Sequence, residues 1–583
     1  MSFRIPVLGA LSCALCLSSP AAGDPVATLN GVDDSVLLTR LYAIIGEATS
    51  PPAGPREARD RATDAADRVR RALRSEGYYA ADVQIVRSGD PLRPDLSVVP
   101  GMLYRFADID LQLTPDTDDT AMGIAQSAFT LQSGDAVSAE AVILSENQVV
   151  EALSEGGYPD AAIGERDIVV DHETQSASGD FAFNVGRFAR FGTLEIEPGG
   201  PLRNSVIERL SPFDAGDPVK LSQLAEFSTR LRSLPGISDA EISLTPTSDD
   251  GVRAARVDIT AGPRRVLELG GGYSTSDGIG VEGEWTRRNL YRGAETLSLF
   301  ARLAQIDSKA RLALELPHWR EYGQTLQFNL AVESERTDAY DRDAVSAGVL
   351  VRRTLSPQLA VSLGLQAESA QISEPIQAGV TRAGSLSLLS ASLGAVWDTR
   401  DDVFDPSSGF RLEAIVEPVG LIDDGFSSFF KGSVSASTYH ALSERWVVAG
   451  RIGVGTILNA NAEEIPADRR FFAGGGGSAR GFDYQALSPL NSSGVPFGGV
   501  SLLELSGELR WRYSPRLGFA GFIDAAAAGG NPEMDFDALR AGAGFGVRYY
   551  TGFGPIRLDV ATPLDRRSGE TPVQVYISIG QSF

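Results

Sequence analysis

Between Arg264 and Phe583 the chain repeats a pattern that few folds tolerate. Segments of about ten residues alternate apolar and charged positions, the period of a β-strand. Leu503, Leu505, Leu509, Trp511 and Tyr513 fall on one parity, and Glu504, Glu508, Arg510 and Arg512 on the other. Trp446, Val448, Ile452, Val454 and Leu458 share a face that Arg451 does not. A soluble sandwich would turn one face into a dry core, where so many charges are too costly to bury. An apolar, aromatic face opposite a charged one suits a strand between lipid and a wet lumen. Past the N-terminal segment there is no apolar run of about 18 residues, so a membrane crossing must be made by a closed barrel. About 16 such segments fit between Arg265 and Phe583, and bacterial barrels have even strand numbers.

The N-terminus reads as an export signal over residues 1–23. Arg4 supplies the positive end, Ile5 to Leu17 is apolar, and Pro20-Ala21-Ala22-Gly23 offers small residues for cleavage. Both cysteines, Cys13 and Cys16, lie within it, so no disulfide framework or thiolate metal site is expected afterwards. The formal net charge of −24 makes nucleic acid a poor partner.

Ahead of the barrel pattern, one unit occurs three times. Leu73-Arg74-Ser75-Glu76-Gly77-Tyr78 returns as Leu153-Ser154-Glu155-Gly156-Gly157-Tyr158 and, with an insertion, as Leu231 to Gly236-Ile237. An amphipathic helix precedes each glycine (Ala65, Val69, Leu73; Val149, Leu153; Leu224, Phe227, Leu231), and an alternating strand follows it. That is the signature of a glycine C-cap. A second mark closes each unit: Gly101 to Arg105-Phe106, Gly186 to Arg190-Phe191, and more weakly Gly262 to Arg265. The expected fold class is therefore α+β repeats followed by a transmembrane antiparallel β-barrel.

The glycine run in Phe471-Phe472-Ala473-Gly474-Gly475-Gly476-Gly477-Ser478-Ala479-Arg480-Gly481-Phe482 invites a phosphate-binding reading, which fails. No helical periodicity follows, no Lys follows Gly481, and Arg480 stands where a serine-hydrolase elbow needs Gly. His172, His318 and His440 show no ligand spacing. No catalytic, cofactor-binding or metal-ligating residues are assigned, and the expectation is a protein that is not an enzyme.

The repeats resemble POTRA modules of outer-membrane assembly proteins, with boundaries at 24–101, 102–186 and 187–263 and the barrel at 264–583. Asn289-Leu290-Tyr291-Arg292-Gly293, Asp398-Thr399-Arg400-Asp401 to Pro406 and Gly409, and Arg480-Gly481-Phe482 resemble marks of the BamA/TamA superfamily. The resemblance implies that Arg480-Gly481-Phe482 tips the sixth extracellular loop, about 459–499 between strands eleven and twelve, and folds into the lumen. It implies an acidic partner in the strand carrying Phe522-Ile523-Asp524. Alternation turns Asp524 inward, with Glu504 and Glu508 as rivals. It further implies a lateral seam between a first strand at about Val266–Tyr273, which includes Leu269, and a last strand at Val573–Phe583, which includes Val575 and Ile577. Gln581 departs from the apolar residue expected there. Three modules resemble the TamA branch, an insertase for barrel proteins including autotransporters. That branch implies a TamB-like inner-membrane-anchored partner, unfolded outer-membrane protein clients and outer-membrane lipid. The alternative is a two-partner-secretion pore, whose relatives carry two modules.

Overall fold

The computed structural model describes residues 25–583 except 49, 87–94, 116–118, 249, 276–277, 378–379, 423–424, 553, 580 and 582–583. The export-signal segment and the seam residue Phe583 therefore lie outside the described residues.

Three small α/β units come first. The first comprises β1 (Thr28–Asn30), α1 (Ser35–Ile45), α2 (Pro55–Ser75), β2 (Asp82–Val86) and β3 (Asp95–Val99). The second comprises β4 (Arg105–Thr114), α3 (Asp119–Ala128), α4 (Ala139–Glu155), β5 (Ala162–Asp171) and β6 (Ser176–Asn184). The third comprises β7 (Arg190–Ile196), α5 (Asn204–Leu210), α6 (Leu221–Arg232), β8 (Ile237–Leu244) and β9 (Val252–Ala261). Their sheets share one order, β1-β3-β2, β4-β6-β5 and β7-β9-β8. The helix stripe seen in the sequence is the buried one: Ala65, Val69 and Leu73 pack with Val83, Leu96 and Val98 of the first sheet.

In the first two units the repeated glycine ends its helix as the sequence requires; in the third, α6 already ends at Arg232, and the insertion sets Gly236 beyond it in a separate turn, where Ile237 N–H reaches Leu234 O at 3.2 Å. Gly77 and Gly157 take positive φ of 96° and 102°. The N–H of Tyr78 reaches the carbonyl of Leu73 at 2.8 Å, and that of Tyr158 reaches Leu153 at 3.0 Å, both closing a Schellman cap. The closing mark then docks on that cap: Tyr104 N–H donates to Gly77 O and Ala189 N–H to Gly157 O. Arg105 and Arg190 each donate to a glycine carbonyl, Gly134 and Gly216, at 2.7 Å. These glycines belong to a further repeat, Gly134-Asp135 and Gly216-Asp217, that the sequence analysis missed.

The rest is a closed barrel of sixteen antiparallel strands in sequential order. They are β10 (Arg265–Ser274), β11 (Gly278–Arg288), β12 (Thr296–Ala304), β13 (Asp307–Leu316), β14 (Gln324–Arg336), β15 (Asp341–Thr354), β16 (Leu359–Gln377), β17 (Val380–Asp398), β18 (Gly409–Ile422), β19 (Phe426–Ser443), β20 (Trp446–Leu458), β21 (Ser501–Arg512), β22 (Leu517–Gly529), β23 (Arg540–Thr551), β24 (Gly554–Pro563) and β25 (Gln574–Ile579). Among the described residues no helix is long and apolar enough to cross a membrane. Parity sorts the walls: in β22, Asp524 is 2% exposed and Ile523 51%. Trp446 and Trp511 stack on the outer face at 5.5 Å, with Tyr513 and Phe519 beside them, an aromatic cluster of the kind that sits at a lipid interface. Strands β16 and β17 are 19 residues long, well beyond the ~9–11 that cross a bilayer. Their outer face changes from Leu363, Leu365, Leu389 and Leu393 to Ser369, Gln371, Ser385 and Ser387, so the hairpin continues past the lipid.

The first strand runs one residue further each way than Val266–Tyr273, and the last is described over Gln574–Ile579. The Gln581 side chain is engaged on the lumenal side.

Candidate functional site

The long connection between β20 and β21, residues 459–500, carries two short 3-10 turns, Ala462–Glu464 and Ala467–Arg469, and then the glycine run. Its root is tied to the inner face of the long β16 strand. Arg470 pairs with Glu374 at 2.9 Å, Arg469 with Glu368 at 2.7 Å, and Asn491 Nδ2 donates to Pro375 O at 2.6 Å. Gly474 and Gly475 then take φ of 108° and 94°, which reverses the chain. At the tip, Gly481 has φ of 103°, and a Cβ there would lie 3.0 Å from the backbone of Thr562. Only glycine lets the tip lie this close to the β24 wall. Phe482 fills an apolar pocket with Ala473, Ala479, Leu487, Ala526 and Ala528.

Arg480 enters the lumen and meets three carboxylates. Its Nε and Nη2 grip both oxygens of Asp524 at 2.6 and 3.1 Å, and its backbone N–H adds a third bond at 3.1 Å. Nη1 lies 3.0 Å from both Glu508 and Asp559. The guanidinium also covers the Phe522 ring at 3.4 Å from its centroid, a desolvated cation–π contact. Arg548 bridges Asp559 and Glu508, Arg510 holds Glu508 at 2.8 Å, and Arg557 lies 3.8 Å from Asp559. Three buried carboxylates are thus met by four guanidiniums. A network this well paired fixes the loop tip at one depth and one register.

Asp524 and Glu508 both contact Arg480. Glu504 does not: it pairs with Arg451 at 3.2 Å, and Arg451 also supports the glycine run through the carbonyls of Gly477 and Ser478. Asp559, Arg548 and Tyr576, whose hydroxyl receives the Gly481 N–H at 3.0 Å, were not singled out from the sequence. The signal was present. With Ile556 and Leu558 facing out, Arg557 and Asp559 must face in.

β10 pairs with β11 along its whole length from Arg265 to Ser274, but among the described residues its ladder with β25 holds only Tyr273 opposite Ile577 and Ser274 opposite Tyr576. Val575 adds backbone and side-chain bonds to Thr275 at 2.9 Å. Val266 and Leu269 stand opposite Thr286 and Gly283 of β11 and have no ladder partner on β25 among the described residues. Leu269 is 78% exposed on the outer face.

The turn after β17, the mid-barrel mark, is braced from within. Asp401 accepts N–H bonds from Asp402, Ser407 and Ser408 at 2.9–3.1 Å and a bond from the Ser407 hydroxyl. Burial works against its charge, but these donors prevail and hold its carboxyl down to about 2. The early mark is a brace too. Asn289 donates to Pro201 O at 2.9 Å, and Glu295 pairs with Arg203 at 3.0 Å beside α5.

The Omp85 superfamily domain matches residues 289–583. The outer membrane protein assembly factor BamA of Nitratidesulfovibrio vulgaris is 24% identical over 67% of this chain, and the chain spans only 50% of that relative's length. The BamA of Neisseria meningitidis is 18% identical over 89% of this chain and 72% of its own. In fold, the chain is similar to the crystal structure of BamA from Haemophilus ducreyi lacking POTRA domains 1–3, with a TM-score of 0.69 at 17% identity, covering 82% of this chain and all of the other. With a closed sixteen-strand barrel behind α/β units of POTRA type, the chain belongs to the Omp85 superfamily, as an outer-membrane protein of the BamA/TamA type.

Proposed function

We propose that this chain is an outer-membrane assembly factor that passes β-barrel clients into the bilayer through the seam between β10 and β25. The observation that carries the reading is the short pairing of these strands among the described residues: Gly272 and Gly271 have no ladder partner in Ser578 and Ile579. Between Arg265 and Gly272, about half of the β10 backbone groups point towards the seam, because in an antiparallel ladder bonding direction alternates along a strand. Unpaired groups in lipid cost several kcal/mol each, so such an edge is strongly driven to take up a client strand. The relatives' name, outer membrane protein assembly factor, supports the same reading. No chemical step is part of this proposal.

Three repeat units ahead of the barrel favour a TamA-like role, with autotransporters among the clients and a TamB-like partner in the periplasm. Depletion of the protein followed by comparison of the outer-membrane proteome tests this. Loss of several barrel proteins, autotransporters included, is expected. Loss of a single secreted protein with all barrels intact would point to a translocating pore and overturn the reading.

A further inference from the structure

On β25, Ile577 and Ile579 face outward, and Gln574 and Tyr576 are buried on the lumenal side. Regular alternation would send position 581 outward, towards lipid. The structure does the opposite. The Gln581 Oε1 accepts from Arg548 Nε at 3.1 Å, and its Nε2 donates to Asp405 Oδ1 at 2.8 Å. The chemistry permits only that orientation of the amide, since the guanidinium can only donate and the carboxylate only accept. Arg548 is 0% exposed and belongs to the Arg480 network through Asp559. Asp405 belongs to the turn after β17, half-way round the barrel, where Arg512 also holds it.

The ladders locate where the strand departs. β25 stays paired with β24 as far as Ile579, opposite Ile556. It leaves β10 after Ile577. Had the register of Tyr273 with Ile577 continued, Gly271 would face Ile579 and Leu269 would face Gln581. An amide there would sit beside outward leucines with no partner, an arrangement lipid strongly disfavours.

We propose that Gln581 is a positioning residue that keeps the seam short. Its polarity sends its side chain into the lumen, where two hydrogen bonds latch it to Arg548 and Asp405. Because Arg548 is shared with the Arg480 network, the docked loop and the short seam are held through the same side chain. An apolar residue at 581 would follow the strand parity outward and let β25 zip further along β10. This deepens the seam reading, but its test reads seam length without any client. Failure here would leave the assembly reading standing, and failure of that reading would leave this one.

The test is a disulfide ruler in the full chain in membranes, which is clean because Cys13 and Cys16 are the only cysteines in the sequence. Tyr273→Cys with Ile577→Cys spans the existing pair and reports a folded barrel. Gly271→Cys with Ile579→Cys spans the pair that forms only if the seam lengthens, and a disulfide needs Cα atoms within ~7 Å. With Gln581 present, the second pair should cross-link several-fold less than the first. Gln581→Leu and Gln581→Ala should each raise it to nearly the level of the first. Gln581→Glu combined with Asp405→Asn, which keeps the acceptor for Arg548, reverses the donor and acceptor of the second bond and keeps the aversion to lipid, should stay low. The proposal is overturned if the second pair is as efficient as the first with Gln581 in place. It is equally overturned if Leu and Ala both leave the second pair low while the first forms fully, or if Gln581→Glu combined with Asp405→Asn behaves like Leu.

Discussion

Truncating Arg480 is the sharpest test of what holds the 459–500 loop. In Arg480→Ala, Asp524 loses the Nε and Nη2 grip at 2.6 and 3.1 Å and keeps only the backbone N–H bond. Glu508 and Asp559 fare better, because Arg510 and Arg548 still face them. The change therefore strands roughly one buried carboxylate. Breaking a buried pair costs ~3–5 kcal/mol and an exposed one ~0–1, and a partly wet lumen places this one at ~2–4 kcal/mol. The loop root is held separately by Arg470 with Glu374 and Arg469 with Glu368, so the loss falls on the tip. At ~1.4 kcal/mol per decade, the open tip becomes ~30- to 700-fold more populated. Cleavage by a broad-specificity protease tracks that population when reclosing is fast. Cleavage within 471–487 should accelerate by that factor, while the heat-dependent gel shift of the folded barrel is unchanged. Asp524→Ala should be milder, since Arg480 keeps Glu508 and Asp559, and the double mutant should be clearly less than additive. A tip as protected in Arg480→Ala as in the parent, or full additivity with Asp524→Ala, would refute the reasoning.

Other consequences can be checked directly. Gly481→Ala forces a Cβ to 3.0 Å from Thr562 at a φ of 103°, so it should free the tip much as Arg480→Ala does, whereas Gly477→Ala, with open space around its Cβ, should be silent in the same protease assay. Oxidising Tyr273→Cys with Ile577→Cys should lock the seam and stop client assembly, measured as the folded fraction of a reporter barrel; normal assembly by the locked barrel would remove seam opening from the mechanism. Asp401 has a carboxyl held below its ordinary 3.8, so its contribution to stability is complete above that pH and disappears as pH falls towards 2. The difference in unfolding temperature between the parent and Asp401→Asn should be present at neutral pH and shrink across that window; a difference that grows on acidification would contradict the assignment.

Much of the architecture is written locally. A period of two decides which side of a strand each residue faces, so the lumenal side of Asp524, Glu504 and Glu508 and the outer side of Leu269 and Ile577 follow from the sequence. Glycine at Gly77 and Gly157 is equally local, because only the left-handed conformation lets the helix end there. Parity is silent about distance across the lumen. Glu504 and Glu508 share a face of β21, yet Glu504 meets Arg451 and Glu508 meets Arg480, because the depth reached by the loop selects between carboxylates two pleat repeats apart. Asp559 joins them only because β24 stands two strands from β22 in the closed ring. The end of the last strand shows the limit most plainly. Alternation would carry Gln581 outward to lipid, but Arg548 and Asp405, far away in sequence, offer its amide partners that lipid cannot, and tertiary hydrogen bonding overrides the local period.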